Sequence, residues 1–380
     1  MKNYILSNIR LVTPSGVVEN AALWAENGLI RYAGPADNLP PTADGRFPRK
    51  NANGAWAVPA FIDLHIHGFG GFGPELGTPE ALLEMSQHLA RQGVGAFCPT
   101  LYCARPEQTQ RLLCALAPAV GKETGAQILG FHLEGPFISP AKPGVMKPQD
   151  ISAPDVSVLE RFWQAAQGHL AAMTLAPELT GLGPVIDFCK EHHILMQAGH
   201  TDATYAQMAQ AAGQGITHVT HLFNAMRPLH HREPAAVGYV LTHREISCEI
   251  IADGFHVRPE IISFLREIKP VQHIIAVTDA LLPTGQTQPP FIANGEEVFL
   301  DNGVWKRKAD GVIAGSALTM HQALKNLVAW GYPLVQAVLC TATNAADRLQ
   351  KTELGRLEIG APARIVLLDK DLNLQEVLQP

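Results

Sequence analysis

The chain has 380 residues, of which 47% are hydrophobic and 17% are charged, and its formal net charge is −6 at pH 7. This length fits a barrel of roughly 250 residues with a smaller accessory unit, and the composition is that of a folded globular protein. The negative charge argues against nucleic acid and anionic membranes as general partners, because both need a concentrated basic surface.

The N-terminal sequence and the cysteines favour a cytoplasmic protein. Residues 1–6, MKNYIL, lack the long apolar region of a secretory signal peptide, and no apolar run is long enough to span a bilayer. The six cysteines have no CxxC spacing, which favours reduced thiols over a disulfide framework or a thiolate zinc site. We therefore expect a cytoplasmic location.

Two kinds of predicted secondary structure follow each other along the chain. Short strand-like pieces at 5–12, 21–24 and 29–33 are separated by turn residues and indicate a small β unit. From residue 59 onwards, apolar strand-like runs alternate with helical patterns. We predict eight such strands, at 60–65, 94–101, 128–133, 170–176, 194–198, 218–222, 247–252 and 273–278.

Eight apolar strands separated by helices predict an α/β fold, a (β/α)8 TIM barrel of the metal-dependent hydrolase type, because helices must cover a parallel sheet. After the eighth strand, Ser316 is expected to cap a helix, and a second helix is expected over 334–349. The C-terminal stretch returns to strand and turn residues. We therefore predict a small β-sandwich domain built from both chain ends, at 1–58 and 351–380, beside a barrel at 59–350.

Residues that can bind a metal or carry a proton stand at the ends of these predicted strands. Six of them end five strands: His65, His67, Glu134, His200, His221 and Asp279. His65 and His67 are two residues apart, so they face the same side of one strand. Because the C-terminal ends of all the strands meet on one face of a barrel, we expect these side chains to converge on a cation. About three protein ligands would then leave a position open for water.

Seven stretches of the sequence together resemble the N-acetylglucosamine-6-phosphate deacetylase family of the amidohydrolase superfamily. They are PAFIDLHIHG at 59–68, HLEGPF at 132–137, AGHT at 198–201, THLFNAM at 220–226, ADGFH at 252–256, VTDA at 277–280 and AGSALTM at 314–320. The resemblance covers nearly the whole chain. The combination of LEGP with FNAM resembles this family and not dihydroorotases or ureases.

The resemblance implies hydrolysis of the acetamide of N-acetyl-D-glucosamine 6-phosphate to D-glucosamine 6-phosphate and acetate, in amino-sugar catabolism. It implies that Glu134, His200 and His221 hold a divalent cation, Zn²⁺ or Fe²⁺. His65 and His67 would hold a second ion bridged by Glu134. Asp279 would be the catalytic residue, first as general base and later as general acid, because amide cleavage needs a proton returned to the departing amine.

The resemblance also implies a site for a sugar phosphate and a homodimer. The predicted substrate-binding residues are Val145, Asn224, Ala225, Arg232, Asp253, His256, Ile313, Ala314 and Gly315. The local sequence supports an anion site, because Arg227, His230, His231 and Arg232 form a basic cluster in one loop of an acidic protein. Relatives complete the phosphate pocket from a neighbouring subunit, so we expect a homodimer.

The chain departs from the resemblance at Met146, where relatives usually carry a histidine that engages the substrate near its acetamido group. A thioether cannot donate a strong hydrogen bond. Another group such as His132, a second metal ion or a shifted loop would then polarise the carbonyl, or the substrate differs. Two alternatives stay open. One is a deacetylase of N-acetylgalactosamine 6-phosphate or another small N-acyl substrate on the same metal site, and the other is a barrel that binds a ligand without catalysis.

Overall fold

The computed structural model describes residues 3–41 and 45–380, so residues 1, 2 and 42–44 of the predicted N-terminal unit lie outside it. The chain begins with four strands: β1 (Tyr4–Thr13), β2 (Gly16–Glu26), β3 (Leu29–Pro35) and β4 (Arg49–Pro59). Asn27 and Gly28 both have positive φ between β2 and β3, as a two-residue hairpin turn with the twist of the strands requires. The sequence patterns predicted the first three strands, but β4 was not predicted.

A parallel barrel follows. Its strands are β5 (Phe61–Ile66), β6 (Val94–Leu101), β7 (Gln127–Ile128), β8 (Phe131–Glu134), β9 (Leu170–Leu175), β10 (Leu195–Ala198), β11 (His218–Val219), β12 (Ser247–Ile251) and β13 (Ile274–Val277). The pairing order is β5, β6, β8, β9, β10, β11, β12, β13, and the short β7 also pairs with β6. The two ends of the series meet where the Asp279 N–H donates to the His65 carbonyl (2.8 Å) and the His67 N–H donates to the Ala280 carbonyl (2.9 Å).

Helices connect these strands and cover the barrel. They are α1 (Pro79–Arg91), α2 (Pro106–Leu116), α3 (Val156–Ala165), α4 (Leu182–Glu191), α5 (Tyr205–Gly213), α6 (Ala235–Thr242) and α7 (Pro259–Ile268). Their starts are encoded locally. The Thr78 hydroxyl accepts from the Ala81 N–H at the start of α1, and Thr204 and Gln207 form a capping box at the start of α5. The predicted (β/α)8 barrel is confirmed.

A small antiparallel sheet lies between the last barrel strand and the next helix. It consists of β14 (Phe291–Ala293), β15 (Glu296–Asp301), β16 (Val304–Arg307) and β17 (Ile313–Ser316). Ser316 ends β17 and does not cap a helix, so that prediction was wrong. Because β17 extends through Ser316, the following helix, α8 (Met320–Ala329), begins later than predicted. Its cap is Thr319, whose hydroxyl accepts from the Gln322 N–H.

The predicted helix over 334–349 is present as α9 (Leu334–Val338), a π-helical turn (Leu339–Thr343) and α10 (Asn344–Arg348). The C-terminal strands are β18 (Ile365–Leu368) and β19 (Leu374–Leu378). They join the first sheet, whose order is β19, β18, β4, β1, β2, β3, so the two chain ends meet there as expected. Residues of this sheet and the segments beside it form a hydrophobic core of their own. Among the helices described, none combines the length and apolar character needed to cross a membrane.

Candidate metal centre and active site

The predicted strand-end residues lie together at the C-terminal mouth of the barrel. The Oε1 atom of Glu134 lies 3.0 Å from His200 Nε2 and 3.1 Å from His221 Nε2. The same oxygen lies 3.5 Å from His65 Nε2, and the Oε2 atom of Glu134 lies 3.2 Å from His67 Nε2. Four imidazole nitrogens contributed by three strand ends therefore surround one carboxylate.

Asp279 lies at the edge of this cluster. Its Oδ1 atom is 3.3 Å from His67 Nε2 and 3.5 Å from His65 Nε2. His65, His67 and Asp279 form one set whose candidate ligand atoms lie within 4.8 Å of one another, and His65, Glu134 and His221 form another. The two sets share His65, so two candidate cation positions lie side by side.

The outer nitrogens of these rings show that the cluster suits a cation. His67 Nδ1 lies 3.2 Å from the Thr100 carbonyl oxygen, and His200 Nδ1 lies 3.0 Å from the Lys142 carbonyl oxygen. Because a carbonyl can only accept, Nδ1 carries the proton in the neutral form of both rings, and the Nε2 lone pair faces Glu134. Lone pairs and carboxylate oxygens repel one another unless a positive charge lies between them. Imidazole nitrogen and carboxylate oxygen are ligands that Zn²⁺ and Fe²⁺ accept.

In this cluster, neighbouring charges shift the pKa values more strongly than burial does. Burial of His65 disfavours its protonated form, but the carboxylates of Glu134 and Asp279 raise its pKa to about 10. Burial would raise the pKa of Glu134, yet His65 and His200 hold it well below its usual range. In the same way, His65 and His67 lower the pKa of Asp279 against the effect of burial. Both carboxylates are therefore ionised at neutral pH.

Three of these residues adopt a backbone conformation that non-glycine residues rarely adopt. The φ angles are 46° at His200, 25° at His221 and 50° at Asp279. Such residues cost about 1–3 kcal/mol each and persist only where the surroundings hold them. The Ser139 N–H donates to the His200 carbonyl, and the Ser316 N–H donates to the Asp279 carbonyl, each at 2.9 Å. The chain therefore turns sharply at the strand ends, where the three side chains meet.

A cavity of about 210 Å³ adjoins the cluster. Its lining joins predicted metal-binding residues to predicted substrate-binding residues: His67, Tyr102, Glu134, Gly144, Val145, Met146, His200, His221, Asn224, Ala225, His256, Asp279, Ile313, Ala314 and Gly315. In the part of the chain that the structure describes, this lining contains no lysine or arginine. Imidazoles, the Tyr102 hydroxyl and backbone N–H groups are therefore the donors that this lining offers to an anion, since the Asn224 amide nitrogen already donates to the His221 and Leu222 carbonyl oxygens.

Two predicted substrate-binding residues, Asp253 and Arg232, do not line the cavity. The Asp253 carboxylate lies beside His256, with Oδ2 at 2.6 Å from His256 Nδ1, and its Oδ1 atom accepts from the His256 backbone N–H at 2.8 Å. Burial disfavours the charged form of His256, but Asp253 raises its pKa. Asp253 therefore orients His256 and favours its protonated form. Arg232 is exposed, and its Nη1 atom lies 2.8 Å from His231 Nε2, because its loop extends outward after β11.

Met146 lines the cavity where relatives were expected to carry a histidine, and it packs with Cys103, Ile138 and Tyr102. His132 cannot replace that histidine. Its Nδ1 atom is 3.1 Å from the Thr100 hydroxyl, its Nε2 atom is 2.8 Å from the Thr174 hydroxyl, and the ring is completely buried outside the lining.

Burial and the neighbouring His65 lower the pKa of His132 to about 3, so the ring stays neutral. His132 is thus a hydrogen-bonded residue of the barrel interior.

Tyr102 is a cavity residue that the sequence analysis missed. Its ring stacks on the His67 ring with centroids 3.8 Å apart and an interplanar angle of 4°. Burial and the nearby carboxylates of Glu75 and Asp279 raise its pKa well above the usual value, so its hydroxyl remains protonated. Tyr102 directly follows β6, and the strand-end rule that selected the other residues applies to it equally.

Comparisons with known proteins agree with this geometry. Residues 56–379 match the amidohydrolase family. The chain is 32% identical over 377 residues to N-acetylgalactosamine-6-phosphate deacetylase from Escherichia coli O157:H7, covering 98% of this chain and 97% of that protein. It is 31% identical over 385 residues to N-acetylglucosamine-6-phosphate deacetylase from Lysinibacillus sphaericus, covering 99% and 96%.

Solved structures show the same relationship. A mutant of N-acetyl-D-glucosamine-6-phosphate deacetylase from Mycobacterium smegmatis, in complex with N-acetyl-D-glucosamine-6-phosphate, matches with a TM-score of 0.92 at 29% identity, covering 100% of this chain and 98% of that chain. The N-acetylglucosamine-6-phosphate deacetylase from Thermotoga maritima matches with a TM-score of 0.87 at 27% identity, covering 99% and 98%. The chain therefore belongs to the amidohydrolase family and, within it, to the N-acetylglucosamine-6-phosphate deacetylase family that its motifs predicted.

Proposed function

We propose that the protein hydrolyses the acetamide of N-acetyl-D-glucosamine 6-phosphate to D-glucosamine 6-phosphate and acetate, in amino-sugar catabolism. The observation that carries this proposal is the convergence of four imidazoles, Glu134 and Asp279 beside a cavity that also contains His256 and Asn224. Side chains that can bind a cation and donors that can bind an anion thus share one cavity. The names of the relatives supply the substrate class that fits both.

We propose that Glu134, His200 and His221 hold the principal divalent cation, Zn²⁺ or Fe²⁺, and that His65 and His67 give capacity for a second. A bound cation supplies Lewis acidity, which lowers the pKa of water from ~15.7 toward ~7 and polarises a carbonyl. Asp279 is the proposed general base, since its ionised carboxylate lies at the cavity surface beside His67. It accepts a proton from water and returns it to the departing amine.

The 6-phosphate is proposed to bind near His256, Asn224 and the backbone of Ala225. Asp253 favours the protonated form of His256, and a charged imidazole forms stronger hydrogen bonds to phosphate than a neutral one. Ile313, Ala314 and Gly315 would contact the sugar as a wall of the cavity, together with Val145.

We propose a cytoplasmic homodimer in which Arg232 contributes to phosphate binding. Arg232 is exposed and lies outside the cavity of its own subunit, whose described lining contains no arginine or lysine. In the proposed dimer, the exposed guanidinium of one chain reaches the cavity of the other. Light scattering of the purified protein would measure the mass, and a monomer at assay concentration would contradict this arrangement.

The second candidate substrate is N-acetylgalactosamine 6-phosphate, because the relative from Escherichia coli O157:H7 that is 32% identical carries that name. The two sugars differ only at the C4 hydroxyl, which does not react. The proposed cation ligands would therefore act on both sugars, and the preference for one epimer would depend on the residues of the cavity wall.

A substrate panel with metal analysis tests the proposed function. Acetate release is measured from both acetylated sugar phosphates and from their unphosphorylated forms, with the cation content of the same sample determined by mass spectrometry. We expect cation-dependent turnover that needs the phosphate. A cation-loaded protein that releases no acetate from any of the four compounds would refute deacetylation.

A further inference from the structure

Glu249 is a buried carboxylate that the roles proposed above do not use. It lies in β12, its side chain is completely buried, and it does not line the substrate cavity. Its Oε2 atom is 3.4 Å from His65 Nδ1 and accepts from the backbone N–H of His221 at 3.3 Å. Its Oε1 atom is 3.5 Å from His218 Nε2. One carboxylate thus contacts two proposed metal-binding residues from inside the barrel.

The neighbouring histidines are oriented differently. His67 and His200 direct Nδ1 to main-chain carbonyl oxygens, those of Thr100 and Lys142. Within the described residues, His65 is the proposed metal-binding histidine whose Nδ1 faces a carboxylate. A carboxylate acceptor keeps the proton on Nδ1, fixes the orientation of the ring and makes Nε2 a stronger ligand. The contact at Glu249 therefore selects the form of His65 that can bind a metal.

His65 has a central place among the candidate ligands. It belongs both to the set with His67 and Asp279 and to the set with Glu134 and His221. Its ring is completely buried and stands edge-on to the ring of His132, with centroids 4.7 Å apart. A rotation of His65 would therefore displace a ligand atom from both sets.

We propose that Glu249 is a positioning residue that sets the affinity of the cation bound through His65. The inference rests on the proposed function only in requiring a divalent cation at this cluster. Glu249 contacts the ring of His65 and the main chain of His221 and does not line the cavity, so it affects substrate only through the metal.

Zn²⁺ affinity, measured by competition with a chelator, tests this role without using turnover. Glu249→Gln keeps the size of the side chain and removes its charge. Glu249→Asp keeps the charge but withdraws the carboxylate by one methylene, which breaks the contact of 3.4 Å with His65. We expect both variants to fold, by circular dichroism, and to bind Zn²⁺ about 10–100-fold more weakly, as is typical when such a partner is removed.

Two controls separate positioning from a general effect of buried charge. Asp253→Asn removes another carboxylate that contacts a histidine, His256, away from the metal cluster, and should leave Zn²⁺ affinity unchanged. In a His65→Asn background, Glu249→Gln should cause no further loss, because the amide oxygen of the variant can still accept from the His221 N–H and the remaining effect passes through the missing imidazole.

Wild-type Zn²⁺ affinity in either folded Glu249 variant, an equal loss in Asp253→Asn, or an undiminished loss in the His65→Asn background would each overturn the proposal. Absence of deacetylation in a protein that still shows these affinity changes would instead contradict only the proposed reaction.

Discussion

The substitution Gly315→Ala tests whether the cavity wall fixes the position of the proposed catalytic base. Gly315 lies in β17 and lines the cavity. A Cβ atom at this position would lie 2.5 Å from the Leu281 Cδ2 atom and 2.8 Å from the carbonyl oxygen of Asp279. The Leu281 side chain can change rotamer. The Asp279 carbonyl cannot, because it belongs to the backbone and accepts from the Ser316 N–H.

The magnitude follows from these distances. The Asp279 carbonyl must move by about 0.6 Å for the contact to reach the ordinary distance of 3.4 Å. Since a displacement of about 1 Å can cost roughly 100-fold in rate, we expect kcat to fall about tenfold or more, which corresponds to about 1.4 kcal/mol of activation free energy. Overpacking should also lower the free energy of unfolding by about 1–3 kcal/mol.

The assay is acetate release with kcat and KM determined separately, together with the Tm of each protein. Gly183→Ala in α4 is a matched control, because its Cβ atom would have no other atom within 4 Å. The control should keep wild-type kinetics and gain about 0.5–1 kcal/mol in stability. A folded Gly315→Ala protein with wild-type kcat would refute the argument that this wall positions Asp279.

Three further predictions concern charge and metal. Asp279→Asn should retain its cation by metal analysis but lose turnover by orders of magnitude; turnover near that of the wild type would remove the assignment of the base. His256→Asn should raise KM for the phosphorylated sugar by about 10–100-fold, because hydrogen bonds to charged groups contribute about 1.5–3 kcal/mol, and should barely affect the unphosphorylated sugar. Removal of the cation should lower the Tm more at pH 10 than at pH 6.5. In the metal-free protein the pKa of His65 is raised from 6.5 to about 10, so its ion pairing stabilises the fold fully below pH 6.5 and is lost as the pH rises toward 10. Thermal melts with and without chelator at both pH values measure this difference, and an equal loss of Tm would contradict it.

The barrel could be predicted from the sequence because its strands are continuous apolar runs bounded by polar residues. The prediction of 94–101 coincides with β6, and 247–252 differs from β12 (Ser247–Ile251) by one residue. The residues of the cluster could be found for a related reason, since each stands where an apolar run ends. Hydrophobic patterning and the strand-end rule together predicted the cluster, whereas the predicted substrate-binding residues came from the resemblance to the deacetylase family.

The elements that were missed carried weaker or overlooked signals. The strands from β14 to β17 are short and include several charged residues, but Asn294-Gly295 and Asn302-Gly303 mark the first two turns of their sheet, and all four residues have positive φ. Glu249 is the one charged residue in the strand β12, so hydrophobic periodicity gives it no role. In the folded protein it is buried beside His65. The association of Glu249 with His65 spans 184 positions and depends on the closure of the barrel, which no local pattern encodes.

The cavity wall at Ile313–Gly315 and the proposed cation ligands come from separate sheets. Ile313 and Gly315 belong to the antiparallel insertion, which packs around Leu281 and Trp305 as a small hydrophobic cluster of its own, whereas the proposed cation ligands stand at the ends of barrel strands. Substitutions at Ile313, which lines the cavity from the insertion, would therefore change the cavity wall without replacing a proposed cation ligand, whereas Gly315 lies too close to the Asp279 backbone to be changed independently. Such a division is compatible with relatives that share this fold and are named for different epimers of the acetylated sugar phosphate.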